Sequence, residues 1–195
     1  MGDSSSAAAV GVSLLGLALA LCCLQAAAGH DVRSKREVER IAFGSCAHQF
    51  VEQPIWKSIR SFKPDTWIWL GDNIYADTKT KKGLGPLGKT HWKEADEERT
   101  HELYTVQRNK AGYRELAKEA RVLGTWDDHD YGLDGAGKEF IGKTWSQRLL
   151  LDFLGVPEDD PRRRRRGVYS SHLLGAAGRQ VKVIMLDTRY HRDAV

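Results

Sequence analysis

A chain of 195 residues, with 41% hydrophobic and 29% charged side chains, has room for one domain with its own core, and that balance excludes a wholly disordered chain. The formal net charge of +4 arises from acids and bases interspersed along the chain, so it forces no polyanion-binding role, and no nucleic-acid partner is expected.

Residues Ala7 to Ala28 are almost wholly apolar, broken by Ser13 and Gln25, and close on Ala26-Ala27-Ala28. A leucine-rich core from Val10 to Leu24 ahead of small residues is the pattern of a secretory signal peptide, cut after about Ala28. Residues 1–28 are therefore expected to be removed, leaving a charged leader over 29–40, a folded domain over 41–195, and no stable membrane span. The same stretch approaches the roughly 20 residues that cross a bilayer, so an uncleaved anchor is the competing reading. Cys22 and Cys23 leave with the signal. Cys46 is then a lone thiol, either buried and inert or used as a ligand.

In the domain, Ile41-Ala42-Phe43 reads as a short buried strand running into Gly44-Ser45-Cys46. Apolar residues at Ile55, Trp56, Ile59 and Phe62 predict a helix over Pro54 to Phe62. Thr66 to Leu70, aromatic and β-branched, is a second strand stopped by Gly71-Asp72. Lys79 to Lys93 reads as a long polar loop of the sort that borders active sites. Helix formers dominate from Glu94 to Ala120, and Arg121 to Trp126 is a third strand. Phe140 to Leu154 offers another helix, with Ile141, Trp145, Leu149 and Phe153 four apart. Arg162 to Arg166 reads as a solvated loop partly balanced by Glu158, Asp159 and Asp160. Two further strands, Val168 to His172 and Gln180 to Leu186, lead into Asp187-Thr188-Arg189.

Strands alternating with helices argue for an α/β layer architecture, in which sites collect at the carboxyl ends of strands. Cys46, Asp72, Asp128 and Asp187 all fall at that expected position. Carboxylates converging from separate strands repel one another unless a cation lies among them. Asp72 could bridge two ions, Asp128 could supply a further oxygen, and Cys46 and Tyr75, which must lose protons to ligate, would favour a strongly Lewis-acidic metal. His129 could orient a phosphate or protonate a leaving group, and Arg189 could bind non-reacting phosphate oxygens. The reaction this chemistry suits is hydrolysis of a phosphate ester.

The set Gly44-Ser45-Cys46, Gly71-Asp72-Asn73-Ile74-Tyr75-Ala76-Asp77, Trp126-Asp127-Asp128-His129-Asp130-Tyr131 and Leu186-Asp187-Thr188-Arg189 resembles the PhoD-like (alkaline phosphatase D) family of metallophosphoesterases, over about Ile41 to Arg192. The resemblance implies a sandwich of two β-sheets flanked by helices, an iron and calcium centre, and phosphate mono- or diester substrates. By it, Cys46 and Tyr75 would bind iron, Asp72 would bridge the metals, Asp128 would bind on the calcium side, and His129 would match the active-site histidine. Other divalent metals also suit the donor set. Family members continue past the Leu-Asp-Thr-Arg motif to a Gly-Asp-x-His motif that this sequence lacks. The chain therefore reads as the N-terminal part of such a domain, and a truncated, non-catalytic secreted isoform with a partial metal site is the alternative expectation.

Overall fold

The computed structural model describes residues 38–82 and 89–194; the signal-peptide reading and most of the charged leader lie outside the described residues. Three short strands, β1 (Ile41–Gly44), β2 (Thr66–Leu70) and β5 (Arg121–Thr125), form a parallel sheet in the order β1-β2-β5. Their registers start together, at Ile41↔Thr66 and Thr66↔Arg121, and finish together, at Gly44↔Trp69 and Leu70↔Thr125. Consequently the loops after all three strands leave the sheet side by side. This register brings Cys46, Asp72 and Asp128 to one edge.

Side chains alternate across a strand, so β2 divides its residues between two faces. Trp67 and Trp69 face the main core, whereas Ile68 joins a smaller cluster on the other side. Parallel strands need crossovers, and these supply the helices of the first face. Helix α1 (Ile55–Phe62) follows β1, while α2 (Glu97–Arg108) and α3 (Tyr113–Glu119) precede β5. After β5 come the single turn α4 (Asp128–Tyr131) and the longer α5 (Lys143–Phe153). Trp56, Trp67, Trp69 and Tyr113 meet ring to ring at centroid separations of 5.2–5.5 Å, and Trp69 Nε1 donates to the Tyr113 hydroxyl at 3.1 Å. Such pairs add about 0.5–1.5 kcal/mol each beyond burial, and the indole N–H has a partner inside the core.

On the other face lies an antiparallel hairpin of β6 (Ser170–Leu174) and β7 (Val181–Met185). Leu174 and Met185 pack with Ile68 and Leu123. The hairpin is fastened to the end of β5 by Thr125 Oγ1, which donates to the Leu186 carbonyl at 3.0 Å. Helices on one side and a hairpin on the other give the layered α/β architecture that alternation in the sequence predicts.

Four expectations need correction. The stretch Lys79–Lys93 is not a plain loop: β3 (Thr78–Lys82) pairs antiparallel with β4 (Lys89–Lys93), Lys79 opposite Trp92. Because both faces of this ribbon are mostly polar, it lacks the apolar alternation that marks a strand. The helical region Glu94–Ala120 is two helices, since the chain turns at Asn109–Gly112 to bring α3 against α1. A Cβ on Gly112 would come within 2.4 Å of Trp56 Cβ, so glycine permits that approach. Helix α5 begins at Lys143, which removes Ile141 from the apolar frame and leaves it 93% exposed. In α1 only Trp56 is fully buried; Ile55 and Phe62 are more than half exposed.

His172 on β6 is half-buried, with its Nε2 2.9 Å from Ser170 Oγ. Burial, then the Arg162 and Arg121 guanidiniums, against an opposing Asp160, bring its pKa down to about 4. The folded state thus binds fewer protons here than the unfolded chain, so stability is complete above about pH 6.5 and falls as pH drops toward 4. Thermal midpoints recorded across that window should decline for the native chain, and His172→Asn should flatten the decline; an unchanged slope would disprove the assignment.

Candidate metal centre

The loops beyond β1 and β2 continue the sheet's contact for one more step, with Cys46 N donating to the Gly71 carbonyl at 3.2 Å and Ala47 N to the Asp72 carbonyl at 2.9 Å. Cys46 and Asp72 both have positive φ, 59° and 48°, which non-glycine residues seldom adopt. Backbone strain of this sort costs of order 1–3 kcal/mol per residue and persists where the surroundings impose it. Two buried side chains impose it here. Gln49 clamps Tyr75 in both directions, accepting from its N–H at 2.9 Å and donating to its carbonyl at 3.0 Å. Asp130, fully buried, accepts from the N–H groups of Asp72, Asn73 and Asp127 at 3.2, 3.2 and 2.7 Å, and from Asn73 Nδ2 at 2.6 Å. Burial raises the Asp130 carboxyl well above its ordinary range, and the backbone donors oppose that rise.

Within this frame one ligand atom each from Asp72, Asp128 and His129 lie within 4.8 Å of one another. Cys46 Sγ lies 3.5 Å from Asp72 Oδ2, whereas Asp72 Oδ1 is buried with no hydrogen-bond partner. The Cys46 thiol is exposed, which rules out the buried and inert reading. Burial raises the Asp72 carboxyl, and Asp128 and Asp127 add to the rise. Asp128 moves the other way: against burial, the Gly135 N–H at 2.7 Å, Arg189 and His129 hold it below the usual carboxylate range. Burial, then the charges on Asp72 and Cys46, raise the Tyr75 phenol, so without a cation it keeps its proton.

Desolvation by itself would lower His129, but Asp77, whose oxygens lie 2.9 and 3.0 Å from Nδ1, outweighs it and the pKa rises to about 9. Asp77 also accepts from Asp134 N, so its orientation is fixed. With Nδ1 engaged by a carboxylate, Nε2 is left to meet a cation or a substrate oxygen, the arrangement in which a carboxylate orients a metal-binding histidine. The imidazole is walled by Tyr75 and by Trp92 of β4, at ring separations of 4.5 and 4.9 Å.

Arg189 reaches the same edge with its guanidinium already occupied. Nε and a terminal nitrogen both lie 2.5 Å from Asp127 Oδ1, and the latter is 3.6 Å from Asp128 Oδ1. Asp187, expected at the site as a fourth strand-end acid, is a correction: its carboxylate accepts from Trp126 Nε1 and from the N–H groups of Val168, Arg189 and Tyr190, all at 2.9 Å. It fastens the loop that delivers Arg189. The partners that hold the centre in shape, Gln49, Asp77 and Asp130, give no periodic signal, and only the Gly71–Asp77 and Trp126–Tyr131 motifs mark two of them.

The donor set suits a cation. Two carboxylates and an imidazole converge, a thiol adjoins, and a buried carboxylate oxygen lacks any donor, a costly arrangement unless positive charge arrives.

A small parallel sheet with acids and a histidine in its strand-end loops defines a mixed α/β fold. Among solved structures, one of PhoD shares it, with a TM-score of 0.58 and 19% identity over 83% of this chain. The chain spans 33% of that structure, about a third of its length. The sequence matches no family model and no curated protein.

Asp130→Ala leaves its four donors without an acceptor in a closed interior, and buried orphaned groups cost about 1–3 kcal/mol each. Urea unfolding should register a loss of about 3 kcal/mol or more; a loss below about 1 kcal/mol would show that Asp130 does not organise the loops.

Proposed function

We propose that the chain is the metal-binding part of a secreted phosphoesterase that hydrolyses phosphate mono- or diesters. The observation that carries the reading is the convergence of Asp72, Asp128 and His129 around a buried, unpartnered Asp72 oxygen. The likeness to PhoD supports it at the level of fold. Secretion rests on the apolar stretch Val10–Leu24 and the alanines that follow it. Among the described residues no helix is long and apolar enough to cross a membrane.

In this reading Cys46 and Tyr75 would hold iron, Asp128 would hold calcium, and Asp72 would serve both. A bound pair of such ions supplies positive charge to a phosphoryl group and lowers the pKa of an attacking water. The protein's own residues do the rest. Asp77 holds the imidazole of His129 so that Nε2 faces the centre, where it orients the phosphate or delivers a proton to the departing oxygen. Arg189, tethered by Asp127, offsets the charge of Asp128 and stands at the edge where a non-reacting phosphate oxygen would bind. Trp92 and Tyr75 keep the imidazole ring from swinging away.

A second reading is metal binding without turnover, favoured by the span of about a third of the PhoD structure. Elemental analysis and hydrolysis of an aryl phosphate separate the two. The first reading expects bound metal, turnover abolished by a chelator, and loss of both in Asp72→Asn. Bound metal that Asp72→Asn removes, with no turnover, selects the second; metal content indifferent to that substitution rejects both.

A further inference from the structure

The centre leaves the five consecutive arginines Arg162–Arg166 unused. They are not a uniformly solvated run. Pro161–Arg163 forms a 3-10 turn capped by Asp160, and Arg162, 9% exposed, pairs with both Asp160 oxygens at 3.0 and 2.9 Å. Arg163 pairs with Asp152 at 2.7 Å and with Glu158 at 3.7 Å, and donates to the carbonyls of Pro157 and Val156. Two of the five charges are thus met by neighbouring acids. Among the described residues no carboxylate pairs with Arg164, Arg165 or Arg166, and Arg165 Nε is buried without a hydrogen-bond partner. The Arg165 guanidinium lies over the Tyr169 ring at 3.8 Å.

The backbone under these side chains is fixed. Gln147, on α5 and 6% exposed, donates to the carbonyls of Arg162 and Arg165 at 2.7 and 2.8 Å and accepts from Gly167 N at 3.0 Å. One residue further on, Val168 N is bound by Asp187. Arg163 to Arg166 therefore line, from a pinned arch, a cleft of about 670 Å³ that Trp145, Arg148 and Tyr190 also line. Arg148 is already paired with Glu97, and Glu158, the acid on the rim, with Arg163.

We propose that this cleft binds a small molecule carrying two or more phosphate groups, gripped by Arg164 and Arg166 against a wall of Trp145 and Tyr190. Like charges held together on an ordered loop destabilise one another, and a multiply charged anion relieves that repulsion where chloride does so poorly. Guanidinium forks match phosphate oxygens bidentately, and a loop already ordered loses little freedom on binding. The volume falls in the range of small-molecule sites, roughly 300–1,000 Å³, which argues for a compact ligand over a polymer.

Titration calorimetry of the full chain with tripolyphosphate, in chelator and at about 0.15 M salt, tests this. We expect saturable binding at one site per chain, with orthophosphate weaker by about tenfold or more. Arg164→Ala with Arg166→Ala should weaken tripolyphosphate about tenfold or more, and the paired lysine substitutions, which keep the charge and lose the fork, should weaken it less. Both residues are exposed, and circular dichroism confirms that each variant is folded. Asp72→Asn should leave the affinity unchanged, which separates this cleft from the candidate centre. The proposal is overturned by absence of saturable binding, by affinity indifferent to the double alanine variant, by orthophosphate matching tripolyphosphate, or by loss of binding in Asp72→Asn.

Discussion

Much of the molecule depends on one buried carboxylate. Asp130 enters the interior on a single turn of helix and there accepts N–H groups from two loops that leave neighbouring strands. Parallel strands in register can bring loops to one edge, but nothing in a sheet decides how the loops then fold relative to one another. Asp130 makes that decision for the Asp72 and Asp127 loops, and Gln49 makes it for the loop after β1. The left-handed backbone at Cys46 and Asp72 is the conformational cost of the arrangement, sustained by these hydrogen bonds.

The centre itself is an unresolved electrostatic conflict. Asp72 and Asp128 face each other from separate strands, and their responses differ: Asp72 is pushed toward protonation, whereas Asp128, with Gly135 N–H and Arg189 beside it, is held ionised. His129 gains a proton in partial compensation. A cation would offset the repulsion between the two acids and draw the Asp72 carboxyl back toward its ordinary range. Two acids in conflict beside a protonated imidazole make an edge where added positive charge is favoured.

How much of this is readable in the linear sequence varies by residue. Cys46, Asp72 and Asp128 are legible because each follows a short apolar run, and in an α/β layer the carboxyl ends of strands converge. Asp187 satisfies the same rule and serves a different purpose, since the rule gives position and says nothing of which donors consume a carboxylate. Gln49 and Asp77 act through partners 26 to 57 residues away and Asp130 reaches back 58, and such pairing gives no periodic signal, although Asp77 and Asp130 stand in the Gly71–Asp77 and Trp126–Tyr131 motifs. The β3–β4 ribbon is hidden for another reason: polar on both faces, it carries no period-two signal, although it delivers Trp92 to the wall of the centre. Ile141 misleads through frame, because a periodic spacing tells which residues share a face only after the first helical residue is fixed.

Gly71 shows how such a site holds its dimensions. Its φ is 112°, and a Cβ built there would meet Asp127 Cβ at 2.6 Å and Asp127 N at 2.7 Å. The glycine that precedes Asp72 is thus in van der Waals contact with the residue that precedes Asp128. The gap between the two acidic loops is therefore gauged by a missing methyl group, and it inherits the tolerance of atomic contact, a few tenths of an ångström, instead of the looser tolerance of connecting chain.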